Sequence, residues 1–319
     1  MARVTGIVWA KHSSRLDEIT SSVGGKAVKI SLWSGREWLA PLRYLYLGLK
    51  TSKILSKERV EVIIAQNPPV FCALFSHWFA KLHGSRLIID SHSMVIDRAG
   101  NKLLLRLIDR IERHVMKKAF LNTVIHDGYS KKLDSLGIRN LVLLDMPPKF
   151  KVEAEKDKRF LVVCPLGGHP DEDIDSVFRV ADAVKGCEIV LTGKVKAARQ
   201  HPRVNYAGFL PKDAYEKQLL MSKVGLCLLK NNEMTLPYVL FEFASAELPF
   251  LVSRTETTEM LGDSFLVSGE EELVRKLTEL TDEMNYDAAV GRVRELKKEL
   301  LRKSNEGRER LRKFLDTKA

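Results

Sequence analysis

The run Leu236-Pro237-Tyr238-Val239-Leu240-Phe241-Glu242-Phe243-Ala244-Ser245-Ala246-Glu247-Leu248-Pro249-Phe250-Leu251-Val252-Ser253 joins a helical pattern directly to an apolar one. Pro237 suits the first turn of a helix, where its missing N–H would be unsatisfied anyway. The helix is expected over 238–246 and a buried strand over 250–253. Free N–H groups and the dipole at such a helix start favour an anion, such as a phosphate oxygen. Glu242 stands one turn and a little further on, within reach of a diol attached to that phosphate.

Outward from this run the chain alternates short β-rich segments with longer helical ones. In the first half strands are expected over 3–10, 60–66, 86–90 and 122–125, with a helix over 103–118 carrying Leu104, Leu107, Ile108, Ile111 and Val115 on one stripe. The segment 146–159 breaks the pattern with Pro147, Pro148 and a cluster of charges, and reads as a linker. The alternation then resumes: strand 160–164, helix 173–184, strands 188–191 and 204–206, helix 214–221 and strand 224–229. Strands interleaved with helices imply parallel sheets covered on both faces. The class is α/β, with two Rossmann-like domains in tandem over 1–150 and 151–319, the second carrying a terminal helix.

With 319 residues, 45% hydrophobic and 29% charged, the chain has apolar content for one large or two medium cores. Disorder and small disulfide scaffolds are excluded. The formal charge of +11 favours an anionic partner. Cys72, Cys164, Cys187 and Cys227 are scattered without zinc spacing and read as buried thiols in a reducing, cytoplasmic compartment. No signal peptide is apparent, and no apolar stretch approaches the roughly 20 residues of a membrane span. RNP, helix-turn-helix and zinc signatures are lacking, which argues against a nucleic-acid partner.

Two basic stretches admit a peripheral contact with an anionic membrane. From Trp33 to Arg59, Trp38, Tyr44 and Tyr46 alternate with Arg36, Arg43, Lys50, Lys53, Lys57 and Arg59. From Gly291 to Ala319, eleven Lys/Arg face five Asp/Glu around an amphipathic pattern with an expected interruption near Ser304 to Gly307. A helix packed on its own protein explains either stretch as well.

Ligands of open α/β sheets bind beyond the carboxyl ends of the strands. In the first half these positions hold Ser14 and Arg15, Gln66 and Asn67, Asp90 and His92, and His126. Asp90 and His92, two residues apart, form a pair able to hold or deprotonate a sugar hydroxyl. In the second half the strand ends hold Gly167-Gly168-His169, Thr192-Gly193-Lys194 and Lys230. Glycines let backbone N–H groups approach a diphosphate, and Lys194 supplies a point charge. With no G-x-x-x-x-G-K-[ST] loop and no strand-coupled G-x-G-x-x-G, an ATPase or nicotinamide enzyme is disfavoured.

Residues 235–253 resemble the donor-binding helix and strand of GT-B glycosyltransferases. Ala65-Gln66-Asn67-Pro68-Pro69, Leu87 to His92, Pro170 to Asp173, Leu191 to Lys194 and Asn205 to Leu210 with Tyr215 are, in this order, similar to the β-mannosyltransferase branch that extends chitobiosyl-diphospho-dolichol. The resemblance implies a GT-B fold with a cleft between its two domains, and hexose transfer, mannose from GDP-mannose foremost, to a lipid-linked or membrane-associated glycan. It implies that Glu242 holds ribose, and that Lys194 with Leu236, Pro237 and Tyr238 holds the diphosphate beside Gly167, Gly168 and Gly193. Gly208 and Phe209 would lie near the base. Asp90 and His92 would face the acceptor, with Ser14, Arg15, Gln66, Asn67 and His126 lining its side.

Some positions depart from the family pattern. Retaining relatives carry two glutamates separated by seven residues, whereas here Met234 stands eight before Glu242 and Glu233 is one place out of register. The Gly167 loop lacks the Arg and Lys that often grip donor phosphates, and the amino-terminal anchor of the eukaryotic mannosyltransferase is missing. No strand-end D-x-D demands a metal, and the acidic run Asp171 to Asp175 reads as a helix start. The competing expectations are a soluble UDP-sugar-dependent glycosyltransferase and a non-catalytic GT-B scaffold.

Overall fold

The computed structural model describes residues 3–32, 39–92, 102–168, 171–194, 200–230 and 236–316. The chain divides into two compact units, Met1–Asp145 with Lys303–Ala319, and Met146–Arg302.

The first unit runs β1 (Val4–Val8), α1 (Ser14–Ser22), β2 (Lys26–Lys29), α2 (Ala40–Glu58), β3 (Val62–Asn67), α3 (Val70–His83), β4 (Arg86–Ser91), α4 (Lys102–Lys118), β5 (Leu121–Val124), α5 (Asp127–Ser135) and β6 (Asn140–Val142). Its six strands form one parallel sheet, ordered β2-β1-β3-β4-β5-β6. The period of two along each strand sends alternate side chains to opposite cores. Ile63, Ala65, Leu87 and Ile89 meet α3, α4 and α5 through Phe79, Val115 and Leu133. Val62, Ile64 and Ile88 meet Leu16 and Ile19 of α1 on the other face. Burying each such aliphatic side chain contributes ~1.5–3 kcal/mol.

The second unit runs β7 (Phe160–Leu166), α6 (Ile174–Ala183), β8 (Cys187–Gly193), β9 (Val204–Gly208), α7 (Lys212–Met221), β10 (Val224–Cys227), α8 (Val239–Ser245), β11 (Phe250–Ser253), β12 (Leu266–Val267), α9 (Glu270–Glu279) and α10 (Glu283–Asp316). Its parallel sheet is ordered β12-β11-β10-β7-β8-β9. Strand order reverses between β7 and β10, the switch point at which ligands collect in such sheets. The proline-rich segment is tied to this unit: Lys151 N donates to Glu216 Oε2 at 3.1 Å, and Asp157 N to Met221 O at 2.9 Å.

Three strands escape the sequence reading. Lys26–Lys29 carries no apolar run, while β6 and β12 have three and two residues. The terminal helix is continuous through the expected interruption. Gly307 lets the helix lie on β6, because a Cβ there would stand 3.1 Å from both Leu143 Cδ1 and Val142 O. Ser304 donates its hydroxyl to the Leu144 and Asp145 carbonyls at 3.1 and 3.2 Å. The helix also buries Leu311 and Leu315 in the α1-side core of the first sheet, so its end belongs with the first unit instead of the second. Leu296, Leu300, Leu311 and Leu315 of this helix are buried. All four cysteines are free and buried, and burial pushes the Cys187 and Cys227 thiols up to about 12. No helix among the described residues is long and apolar enough to cross a membrane.

Candidate functional site

Because every strand in a unit runs the same way, each sheet gathers its strand-end residues on one carboxyl edge. On the first sheet this edge holds a buried ionic network. Arg15, one residue into α1, donates from Nη2 to Asp90 Oδ1 at 2.8 Å and from Nε to both Asp90 oxygens at 3.1 and 3.0 Å. Its Nη1 reaches Asp145 Oδ1 at 2.8 Å. Thr123 donates its hydroxyl to Asp90 Oδ1 at 2.8 Å. Asp90 is 0% exposed, and His92 is the member of its pair that opens to solvent, with 29% of its side chain exposed.

Burial by itself raises the Asp90 carboxyl, but the Arg15 guanidinium and the His92 bond outweigh it and hold the group well below the usual carboxylate range. For Arg15, burial works toward loss of the proton, and the two carboxylates more than reverse that. Nε2 of His92 lies 3.2 Å from Asp90 Oδ2 and 2.7 Å from the Gln66 amide nitrogen. The donor and acceptor roles of the ring nitrogens depend on the tautomer, and a proton on Nε2 facing the ionised Asp90 would leave Nδ1 as an acceptor. Asp90 and Gln66 together fix the position of the ring.

The other first-sheet candidates separate by burial. Asn67, 1% exposed, donates to Ser91 Oγ at 3.2 Å and to Glu112 Oε1 at 2.6 Å. His126 is buried and caps α5, its Nδ1 accepting from Tyr129 N at 3.1 Å. Arg15, Asn67, Asp90 and His126 are therefore committed within the fold, where the sequence reading places them against a ligand. Ser14 is exposed, and Gln66 stays on this edge through His92. Asp145 is the member the sequence reading misses; its signal is a carboxylate closing the apolar run Leu141 to Leu144.

The second sheet's edge is built from backbone and glycine. Gly167 and Gly168 follow β7, and their N–H groups both donate to the Glu172 carboxylate, at 2.5 and 3.1 Å. An anion nest is thus present and holds an anion from its own chain. Gly168 at φ +80° packs on Lys194, whose Cβ would stand 2.9 Å from an added Cβ. Gly193 at φ +88° has no room for one against the Leu166 carbonyl. Lys194 is exposed, and its N–H donates to Leu166 O at 3.0 Å. Gly208, at φ +63°, ends β9, and Phe209 beside it is 83% exposed, an aromatic face available for stacking.

After β10, Leu236 is buried and Tyr238 caps α8, so Pro237 precedes the helix by two residues instead of sitting in its first turn. Glu242, half-buried, accepts from the Tyr215 hydroxyl at 2.7 Å. Burial raises the Glu242 carboxyl, Glu216 adds to this, and the Tyr215 bond opposes them. Of the acidic run, Asp173 caps α6 by accepting from Ser176 N at 3.3 Å, and Asp175 lies 3.6 Å from the Lys230 ammonium. Among the described residues no cluster of three or more His, Cys, Asp and Glu is placed to hold a metal. His169, Glu233, Met234, Arg36 and Trp38 lie outside the described residues.

No family model and no curated protein matches the chain. Solved structures match it along nearly its whole length. Anabaena HepE in complex with UDP and glucose aligns with a TM-score of 0.76 at 10% identity, over 98% of this chain and 99% of that one. The sucrose-phosphate synthase of Thermosynechococcus elongatus gives 0.73 at 10% identity, over 98% and 99%. The lipopolysaccharide outer core galactosyltransferase WaaB, in its apo form, gives 0.64 at 14% identity, over 97% and 99%. Shared with these structures is a fold, two parallel α/β sheets of six strands each with helices, and that fold is GT-B.

Proposed function

We propose that the chain is a glycosyltransferase that moves a hexose from a nucleotide sugar, bound on the second unit, to a lipid-linked or membrane-associated glycan. The observation that carries this reading is the convergence on the second carboxyl edge. Two glycine N–H groups holding a carboxylate, an exposed lysine and an exposed ring follow β7, β8 and β9 of one sheet, and a half-buried glutamate stands in the first turn of α8. Those groups match a diphosphate, a base and a ribose diol in turn. A donor phosphate would take the Gly167 and Gly168 amides from Glu172. Lys194 and these amides would neutralise the leaving diphosphate without a divalent metal.

The acceptor hydroxyl attacks the anomeric carbon, the bond from that carbon to the diphosphate oxygen breaks, and the hydroxyl proton passes to His92 Nδ1. Asp90, closed off by Arg15 and Thr123, orients His92 and does not itself take the proton. For the donor, the resemblance of the strand-end blocks to the mannosyltransferase branch favours GDP-mannose. The UDP and glucose bound in HepE favour a second reading, a UDP-sugar. A thermal-shift panel of GDP, UDP, ADP and their sugar conjugates separates these, because a ligand at a hundred times its dissociation constant stabilises by about 2.7 kcal/mol. A shift confined to guanine nucleotides supports mannose, and one confined to uridine nucleotides supports the second reading. Absence of any shift overturns nucleotide-sugar transfer.

A further inference from the structure

Nine of the eleven large apolar side chains that the described residues leave exposed stand on three neighbouring helices of the first unit. α2, α3 and α4 pack side by side on one face of the sheet. The inward stripe of α2, with Leu47 and Leu55, is already buried. A second stripe on the same helix, Leu42, Leu45, Tyr46 and Leu49 at i, i+3, i+4 and i+7, faces out at 49–65% exposure. α3 adds Trp78 and Leu82, and α4 adds Leu103, Leu104 and Leu107, all half or more exposed. Core packing explains the first stripe of α2 and leaves the second without a role inside the unit.

Charge specifies the occupant. The three helices carry four, one and six Lys or Arg against three acids. Each acid is engaged: Glu58 with Lys26 at 2.5 Å, Asp109 with Arg113 at 2.9 Å, and Glu112 with Asn67 at 2.6 Å. Lys50, Lys53 and Lys57 continue α2 beyond its outward leucines, as Arg110, Lys117 and Lys118 continue α4 beyond its own. Helices of a parallel sheet begin at its carboxyl edge, so the leucines of α2 and α4 lie toward the edge that holds His92, and the cations toward the opposite edge.

We infer that this three-helix face docks on an anionic lipid bilayer, the leucines entering the acyl boundary, Tyr46 and Trp78 lying at headgroup level and the lysines and arginines meeting lipid phosphates. The inference bears on the acceptor half of the proposed function and requires nothing of the donor. Flotation of the full chain with phosphatidylcholine vesicles, with and without phosphatidylglycerol, tests it. Binding is expected only with phosphatidylglycerol and falls as salt rises. Lys50→Gln with Lys53→Gln weakens it roughly 25-fold, at about fivefold per charge. Leu45→Glu with Leu49→Glu weakens it by at least about tenfold, while Lys298→Gln on α10 leaves it unchanged. The substituted side chains are exposed, and an unchanged unfolding midpoint confirms that each variant is folded.

Equal binding to neutral vesicles, no binding to either, or binding indifferent to both pairs overturns the inference. So does light scattering that finds a dimer dissociated by the leucine pair, which would make the face a contact between copies. The nucleotide panel reads the donor site separately. Nucleotide shifts without flotation remove the docking face alone, and flotation without them removes the donor reading alone.

Discussion

The carboxyl edges of the two sheets, each of six parallel strands, solve opposite problems. The first is packed with charges that already have partners: Arg15 serves two carboxylates, and Asp90 is closed off behind His92. The second presents glycine amides at β7 that hold the carboxylate of Glu172, an exposed Lys194, an exposed Phe209 and a half-buried Glu242 bonded to Tyr215. An edge satisfied from within holds one group in a fixed protonation state. An edge made of backbone donors and an unburied cation is suited to an anion.

The largest effect expected from this contrast is on stability at the first edge. Arg15→Ala leaves Asp90 and Asp145 buried without their cation and is expected to cost about 3–5 kcal/mol, read from denaturant midpoints. A loss below about 1 kcal/mol would show that the network is not closed. The same network sets the acid limit. The Asp90 carboxyl is depressed in the fold, so its contribution is complete above the ordinary carboxylate value near about pH 4 and is lost as pH falls below it. Asp90→Asn should flatten that acid limb of the stability profile.

His92→Ala comes next, with turnover lowered about 10²–10⁴-fold and donor affinity unchanged. Lowered affinity with intact turnover would erase the division between the edges. A smaller effect sharpens the second edge: Glu172→Gln removes the charge that competes for the Gly167 and Gly168 amides. Binding of the nucleoside diphosphate should tighten by about fivefold, the worth of a modest charge-assisted bond. Weaker binding would assign Glu172 to shaping the loop.

The alternation of strands and helices was legible because apolar runs such as Ile63 to Ala65 and Leu87 to Ile89 bury both faces of a parallel sheet. β2 was not, since Lys26-Ala27-Val28-Lys29 is, among the described residues, an edge strand paired with β1 alone, and its burial is partial. Strand ends pointed to the two carboxyl edges. They did not distinguish residues facing a ligand from residues facing one another, because that depends on partners far away in sequence. Arg15 meets Asp90 across 75 positions and Asp145 across 130. The outward leucines of α2 were hidden in the same way, since an apolar residue at helical spacing reads as core until the sheet shows which stripe it covers.

Calorimetric titration of the preferred nucleotide sugar into the wild type, Glu242→Ala and His92→Ala tests the central claim most directly. Glu242→Ala should fold normally and lose about ten- to hundredfold in affinity, as expected for a lost hydrogen bond to a charged group, while His92→Ala binds like the wild type. Equal affinity in all three proteins, or a loss confined to His92→Ala, would contradict a donor site on the second unit.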